Sequence, residues 1–266
     1  MTDSAPKELW GTGHAYEQYV GRWSRQVAGP FLAWLAAPAG AAWLDVGCGT
    51  GALVSTILDR AQPASVLGID RAEGFVQAAR AQVTDPRAQF LVGDAAQLPT
   101  DARHDVTVSG LVLNFVPDHG AMLREMVRVT RPGGTVAAYV WDYAGGMQMM
   151  RHFWDVALEL SPDDAQVDEA DRFPICAPDA LAALWEAGGL TGTTVTAIEI
   201  PTVFRDFDDY WQPFLGKQGA APAYLATLDA DVQAQIRERL EARLARTGDG
   251  RISLTARAWA VQGRVP

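Results

Sequence analysis

Three glycines, Gly47, Gly49 and Gly51, crowd into "LDVGCGTG" directly after an apolar run that ends in Asp45. Glycine reaches backbone angles closed to other residues and carries no Cβ, so a flat ligand can lie against main chain there. Further acids follow at intervals, Asp70 in "GID" and Asp94 in "GDA". A carboxylate roughly 20 residues beyond a glycine-rich turn is placed to accept both hydroxyls of a ribose. Asp94 adds an acceptor suited to an exocyclic adenine amine. Asp45 sets negative charge beside the glycines, which repels a pyrophosphate and attracts a cationic amino acid tail. Gly47, Gly49 and Ala52 also satisfy G-x-G-x-x-A formally, so an NAD-dependent oxidoreductase stands as an alternative.

These residues need strand ends to hold them. From about Ala41 to Trp141 short apolar, β-branched runs alternate with segments of helical period, the rhythm of βαβ units around a parallel sheet. "AAWLDVG", "SVLGID", "AQFLVGD" and "HDVTVSG" read as the first four strands. "RPGG" reads as a turn before "TVAAYVW", a fifth. Ligands of such sheets lie beyond the carboxyl ends of the strands, where Asp45, the glycines, Asp70 and Asp94 all fall.

Beyond Trp141, "MQMMRHFWDVALEL" and "DALAALWEAGGL" read as helices, and "SPDDAQVDEADRFPICAP" as polar and irregular. "TTVTAIEIPTVF" and "RISLTARAWAVQG" read as the last strands. Leu225, Leu228, Val232, Ile236, Leu240 and Leu244 form a helical stripe between them.

Composition excludes several functions. With 48% hydrophobic residues in 266, the chain can bury a sizeable core. A formal net charge of -10 repels phosphate backbones and anionic lipid, so neither nucleic acid nor membrane is expected as a partner. The start has no signal-peptide pattern and no later stretch is long and apolar enough to span a bilayer, which points to the cytoplasm. Cys48 and Cys176 make no disulfide framework, and the four histidines show no ligand spacing, so no metal site is expected.

In order and spacing, "LDVGCGTG", "GID", "GDA" and "RPGG" resemble the class I S-adenosylmethionine-dependent methyltransferases, in particular the small-molecule group that includes enzymes of ubiquinone and menaquinone biosynthesis. The resemblance implies an α/β, Rossmann-like seven-stranded sheet of order 3-2-1-4-5-7-6 with an antiparallel last strand, helices on both faces, and S-adenosyl-L-methionine as cofactor. It further implies one methyltransferase domain over 1–266, with a helical lid over 1–40, a cofactor-binding core over 41–146 and a substrate-side elaboration over 147–266. Gly47, Cys48, Gly49 and Thr50 would then wrap the methionine and ribose part, with Asp45 near the amino acid tail. Asp70 would hold the ribose, Asp94 and Ala95 would face the adenine, and Arg71 would flank it. Gly110 and Leu111 would run beneath the methionine moiety. From the leading aromatic segment, Tyr19, Arg22 and Trp23 are candidate cofactor contacts. Arg22 suits a carboxylate, and near-helical spacing equally suits core packing.

A sulfonium methyl donor is already activated, so the protein chiefly has to place a small-molecule nucleophile in line and exclude water. Where a base is needed, Asn114, His119, Asp142, Tyr143 and His152 follow the fourth and fifth strands; His152 and Asp142 are the candidate catalytic residues. Trp141, Met147, Phe153, Tyr210, Trp211 and Phe214 suit an apolar acceptor pocket or, equally, a packed core. A methyltransferase-fold module without turnover is the non-enzymatic alternative.

Overall fold

The structure, a computed structural model, describes residues 21–216 and 219–266. Its elements in chain order are α1 (Arg22–Leu35), β1 (Ala42–Val46), α2 (Ala52–Arg60), β2 (Ser65–Asp70), α3 (Glu73–Gln82), β3 (Ala88–Val92), β4 (His104–Gly110), α4 (His119–Arg128), β5 (Thr130–Trp141), α5 (Gln148–Leu160), α6 (Pro178–Ala187), β6 (Thr191–Phe204), α7 (Ala230–Arg243) and β7 (Ile252–Arg264), with short helical turns between some of them.

One seven-stranded sheet has the order β3-β2-β1-β4-β5-β7-β6. β1 pairs in parallel with β2 and β4, β2 with β3, and β4 with β5. Hydrogen bonds from Gly133 N–H to Val265 O and from Asp142 N–H to Arg257 O run in opposite senses along β5 and β7, so β7 is antiparallel to β5. The order implied by the motifs is therefore the one observed.

The chain forms two compact units interleaved in sequence. The first comprises Ser24–Val140, Ile175–Ile198 and Ala258–Pro266; the second comprises Trp141–Pro174, Glu199–Arg257 and the described residues up to Trp23. These limits differ from the sequence divisions at 40 and 146, and residues 147–266 are shared between the units.

In the first unit, β1 carries Trp43, Leu44 and Val46 fully buried, and α2 turns Leu53, Val54, Ile57 and Leu58 inward at helical spacing. Each such aliphatic side chain stabilises the fold by roughly 1.5–3 kcal/mol on burial. Of the expected lid, Val27, Phe31 and Leu35 of α1 are buried, and the Phe31 ring lies 4.7 Å from that of Tyr139 on β5. Residues 1–20 lie outside the described part. Asp118 caps α4, its carboxylate accepting from Ala121 N–H at 2.7 Å. "RPGG" is not a free turn, because Arg131–Gly134 are already part of β5, whose pairing with β4 shifts register there. Gly133 takes the positive φ, +76°, that this irregularity requires.

The second unit is packed around aromatic rings. Phe153 of α5 stacks on Phe214 at 4.8 Å, Phe204 meets Tyr210 edge-on at 5.3 Å, and Tyr210 Oη donates to Met149 O at 2.9 Å. The stretch expected to be irregular folds as helical turns, Pro162–Val167, Glu169–Arg172 and Pro174–Cys176. Its buried acids have partners on α5: Arg151 grips Asp168 with N···O distances of 2.9 and 2.7 Å, and Trp154 donates its indole N–H to Glu169. The expected stripe from Leu225 to Leu244 breaks at residues 226–229, leaving Ala220–Leu225 and α7 as separate helices.

Candidate functional site

At the rim of the first unit, the three glycines of the β1–α2 loop all have positive φ, +79° at Gly47, +53° at Gly49 and +89° at Gly51. The N–H groups of Gly47 and Cys48 both donate to Ile69 O, at 2.7 and 3.0 Å, tying the loop to β2. Gly47 and Gly49 differ in their surroundings. A Cβ on Gly47 would lie 2.5 Å from Val112, so that glycine makes room for the segment after β4. A Cβ on Gly49 would meet nothing within 4 Å, so Gly49 borders open space where a ligand can approach main chain.

Asp70 ends β2 with both oxygens engaged: Oδ2 accepts from Gly49 N–H and Oδ1 from Ala72 N–H, each at 2.9 Å. A carboxylate has about four lone-pair sites, so capacity remains for hydroxyl donors. Asp45 has no such satisfaction. It is 1% exposed, and neither oxygen has a hydrogen-bond partner among the described residues. Burial, and then the charge of Asp70, push its carboxyl up to about 8. An orphaned buried acid costs free energy until a cation or donor reaches it, and the amino acid tail of an adenosyl sulfonium supplies an ammonium. The residues present therefore fit that cofactor.

Burial first, then the charges of Asp45 and Asp70, push the Cys48 thiol far up, so it remains protonated and fills space between the loop and Gly68. Thr50 and Ala95 are partly buried, and Arg71 is exposed. Asp94 is exposed, with Oδ1 accepting from Ala96 N–H at 2.8 Å. After β4, Leu111 adopts a left-handed φ of +61° and donates its N–H to Tyr139 O at 2.8 Å. A Cβ on Gly110 would lie 2.6 Å from Tyr139 Oη, so the Tyr139 ring fixes this floor. Sequence reasoning missed Tyr139 and Val112, because nothing in a strand's pattern says which neighbour its side chain will brace. Asn114 follows on a 3₁₀ turn, Leu113–Phe115, and His119 opens α4 partly buried, its imidazole held down by burial against an opposing effect of Asp118.

The structure brings Asp45, Gly47, Cys48, Gly49 and Asp70 together, with Gly110 and Leu111 leading on to Val112 beneath Gly47. Thr50, Arg71, Asp94 and Ala95 belong to the same unit, whereas Arg22, Trp23, Asp142 and His152 lie in the second. Arg22 Nη1 meets Asp209 Oδ1 at 3.2 Å, and its guanidinium lies over Trp23 at 4.4 Å and Phe204 at 4.8 Å. Trp23 is buried against Phe204, ring to ring at 5.6 Å. Tyr19 lies outside the described residues. Asp142 accepts from Gly145 N–H at 3.1 Å and pairs with Arg257 at 3.3 Å, an arrangement that shapes the turn after β5. His152 on α5 is half-buried, with Nδ1 unpartnered among the described residues; burial and then Arg243 hold its imidazole down, Asp155 opposing. No hydrogen bond or ion pair joins it to Asp142. Trp141, Met147, Phe153, Tyr210, Trp211 and Phe214 are all buried, the four aromatics from Phe153 to Phe214 in one network of rings, which is core packing. Among the described residues no group of three His, Cys, Asp or Glu side chains gathers as a metal site, and no helix is long and apolar enough to cross a membrane.

Residues 44–138, from the strand before the glycines to the middle of β5, match the family model described as a methyltransferase domain. These residues carry a methyltransferase domain, and the order of the seven-stranded sheet is that of the class I S-adenosylmethionine-dependent fold. This domain is similar to a trans-aconitate 2-methyltransferase of Methylobacterium radiotolerans, 32% identical over 37% of each chain. It is also similar to a 2-methyl-6-phytyl-1,4-hydroquinone methyltransferase of Synechocystis, 31% identical over 68% of this chain and 57% of that one. The chain thus spans well under two thirds of the length of these curated relatives. In fold, the chain is similar to phosphoethanolamine N-methyltransferase 2 of Haemonchus contortus, crystallised with S-adenosyl-L-methionine, at a TM-score of 0.58 and 15% identity over 95% of this chain and 56% of that one.

Proposed function

We propose that the protein transfers a methyl group from S-adenosyl-L-methionine to a small-molecule acceptor, releasing S-adenosyl-L-homocysteine. The observation that carries this reading is the buried, unpartnered Asp45 carboxylate next to a glycine loop open at Gly49. A dinucleotide would bring a pyrophosphate towards that acid, whereas an amino acid ammonium relieves it.

In this reading Asp45 attracts the ammonium. The main chain from Gly47 to Thr50 lies along the methionine and ribose part, Asp70 accepts the ribose hydroxyls, and Asp94 with Ala95 borders the adenine, with Arg71 beside it. Gly110 and Leu111 form the floor under the methionine part. When bound, the cofactor supplies an activated methyl group on a sulfonium, and the protein's task is to orient the acceptor and exclude water. A small-molecule acceptor is supported by the names of the similar enzymes, which act on trans-aconitate and a phytyl hydroquinone. Two buried thiols with no disulfide support residence in the cytoplasm.

Isothermal titration with S-adenosyl-L-homocysteine tests the reading. Saturable one-site binding is expected; a folded protein that ignores it and binds NADH would be an oxidoreductase instead. Binding without methyl transfer to any acceptor would indicate a non-catalytic module.

A further inference from the structure

The segment after β4 carries two features that cost the fold stability. Leu111 holds a left-handed φ of +61°, which a branched residue resists. Three residues later, Asn114 is 6% exposed and its Nδ2 is buried with no acceptor among the described residues. The segment is nevertheless firmly held. Leu111 donates to Tyr139 O at 2.8 Å, Val112 sits beneath Gly47, and Phe115 N–H returns to Val112 O at 2.8 Å. An unmatched donor on a strained but tethered segment is what a preorganised ligand contact looks like before its ligand arrives.

The sheet order says which part of the ligand lies near it. Asp70 and Asp94 follow β2 and β3, on one side of β1, so the nucleoside belongs there; β4 is on the other side. A bound cofactor would then carry its methyl-bearing end toward the rim of β4, where Asn114 lies.

We infer that Asn114 is the hydrogen-bond donor for the attacking oxygen of the acceptor, and that the acceptor class is an ionised oxygen nucleophile, a phenolate, enolate or carboxylate. The inference rests on the methyltransferase reading and deepens it. An amide N–H stabilises and aims an oxyanion but cannot take a proton, and residues 111–117, "LVLNFVP", contain no titratable side chain. In the step, the acceptor oxygen forms the new O–C bond as the S–C bond breaks and its electron pair returns to sulfur. The negative charge on oxygen and the positive charge of the sulfonium cancel, and no proton moves.

The test uses wild type, Asn114→Ala and Asn114→Asp. Each is titrated with S-adenosyl-L-homocysteine, then assayed with S-adenosyl-L-methionine and 4-hydroxybenzoate, catechol and benzoate as oxygen acceptors, against 4-aminobenzoate methyl ester and thiophenol. Equal affinity for the homocysteine product in all three proteins is expected, together with oxygen methylation by wild type. Loss of the contact that aims the attacking oxygen should lower kcat roughly 100-fold in Asn114→Ala, and more in Asn114→Asp, whose charge repels the oxyanion. Transfer only to nitrogen or sulfur, no transfer to any oxygen probe, or unchanged kcat in both variants overturns the inference. Weakened product affinity in both variants overturns it too, by making Asn114 a cofactor contact. Failure of wild type to bind the product sinks the methyltransferase reading itself and the inference with it.

Discussion

Gly49 donates its main-chain N–H to Asp70 Oδ2 at 2.9 Å, so the acid at the end of β2 also holds the glycine loop in place. The same carboxylate is the ribose acceptor in the proposed function, and its removal acts twice. Asp70→Ala should weaken S-adenosyl-L-homocysteine binding by at least tenfold and lower the unfolding free energy by about 1–3 kcal/mol through the orphaned N–H groups. Asp70→Asn keeps one oxygen for Gly49 or Ala72 and should recover much of the stability but little of the affinity. Calorimetric titration and thermal unfolding on the two variants separate these effects. Equal affinity in Asp70→Ala and wild type would remove the ribose from this residue.

Asp45 predicts an unusual pH dependence. Its carboxyl sits at about 8 in the folded protein, against an ordinary 3.8. Between those values the folded chain binds a proton that the unfolded chain has released, so this group makes stability fall as pH rises, by about 1.4 kcal/mol per pH unit at most. His104, His119 and His152 are held low by burial and act the other way below about 6.5. The signal is therefore the difference between wild type and Asp45→Asn, which should become steadily less unfavourable to wild type as pH drops from 8 to 5. Cofactor binding favours the ionised acid. Affinity should rise with pH between about 5.5 and 7, below the titration of the ligand's own amine, and proton release should make the binding heat depend on the buffer. A flat profile in wild type would show that Asp45 does not meet the ammonium.

The placement of the glycine loop and its neighbouring acids was legible in the sequence because local chemistry decides it. An apolar run, then glycines, then a helix leaves one arrangement for β1 and α2, and Asp70 follows from where β2 must end. What escaped was set by distant partners. Asp168 and Glu169 sit in a polar stretch, yet both are buried beside partners distant in sequence, Arg151 and Trp154 on α5. The aromatic residues from Phe153 to Phe214 have the composition of a pocket wall, yet they pack on each other. The left-handed Leu111 carries no sequence mark, since glycine or asparagine would ordinarily be sought there.

Cys48 lies inside the glycine loop but is predicted to be chemically silent. Burial and two neighbouring acids oppose its thiolate, the form that reacts. Cys176 is buried as well. Ellman's reagent at pH 8 should label neither thiol in the native protein and both after denaturation. Cys48→Ala should bind S-adenosyl-L-homocysteine within about threefold of wild type, since a small apolar filler replaces another. Rapid native labelling of Cys48 would mean that the loop opens.

Asp142 offers a test that separates scaffold from chemistry. Its side chain is 8% exposed, its Oδ1 caps Gly145 N–H, and its Oδ2 meets Arg257 Nη1, whose guanidinium also reaches Glu199 at 2.9 Å. A carboxylate so engaged is a good organiser of the turn that leads into α5. Asp142→Asn retains an oxygen for Gly145 and loses the charge, so unfolding should become easier by about 1 kcal/mol. Asp142→Ala leaves Gly145 N–H without its acceptor and Arg257 with Glu199 in place of two acids, and should cost about 2–3 kcal/mol. If the residue only shapes the turn, kcat for any acceptor found should survive in Asp142→Asn to within a few fold and keep its pH profile. A hundredfold loss of kcat with unchanged melting temperature would return Asp142 to the role of a base.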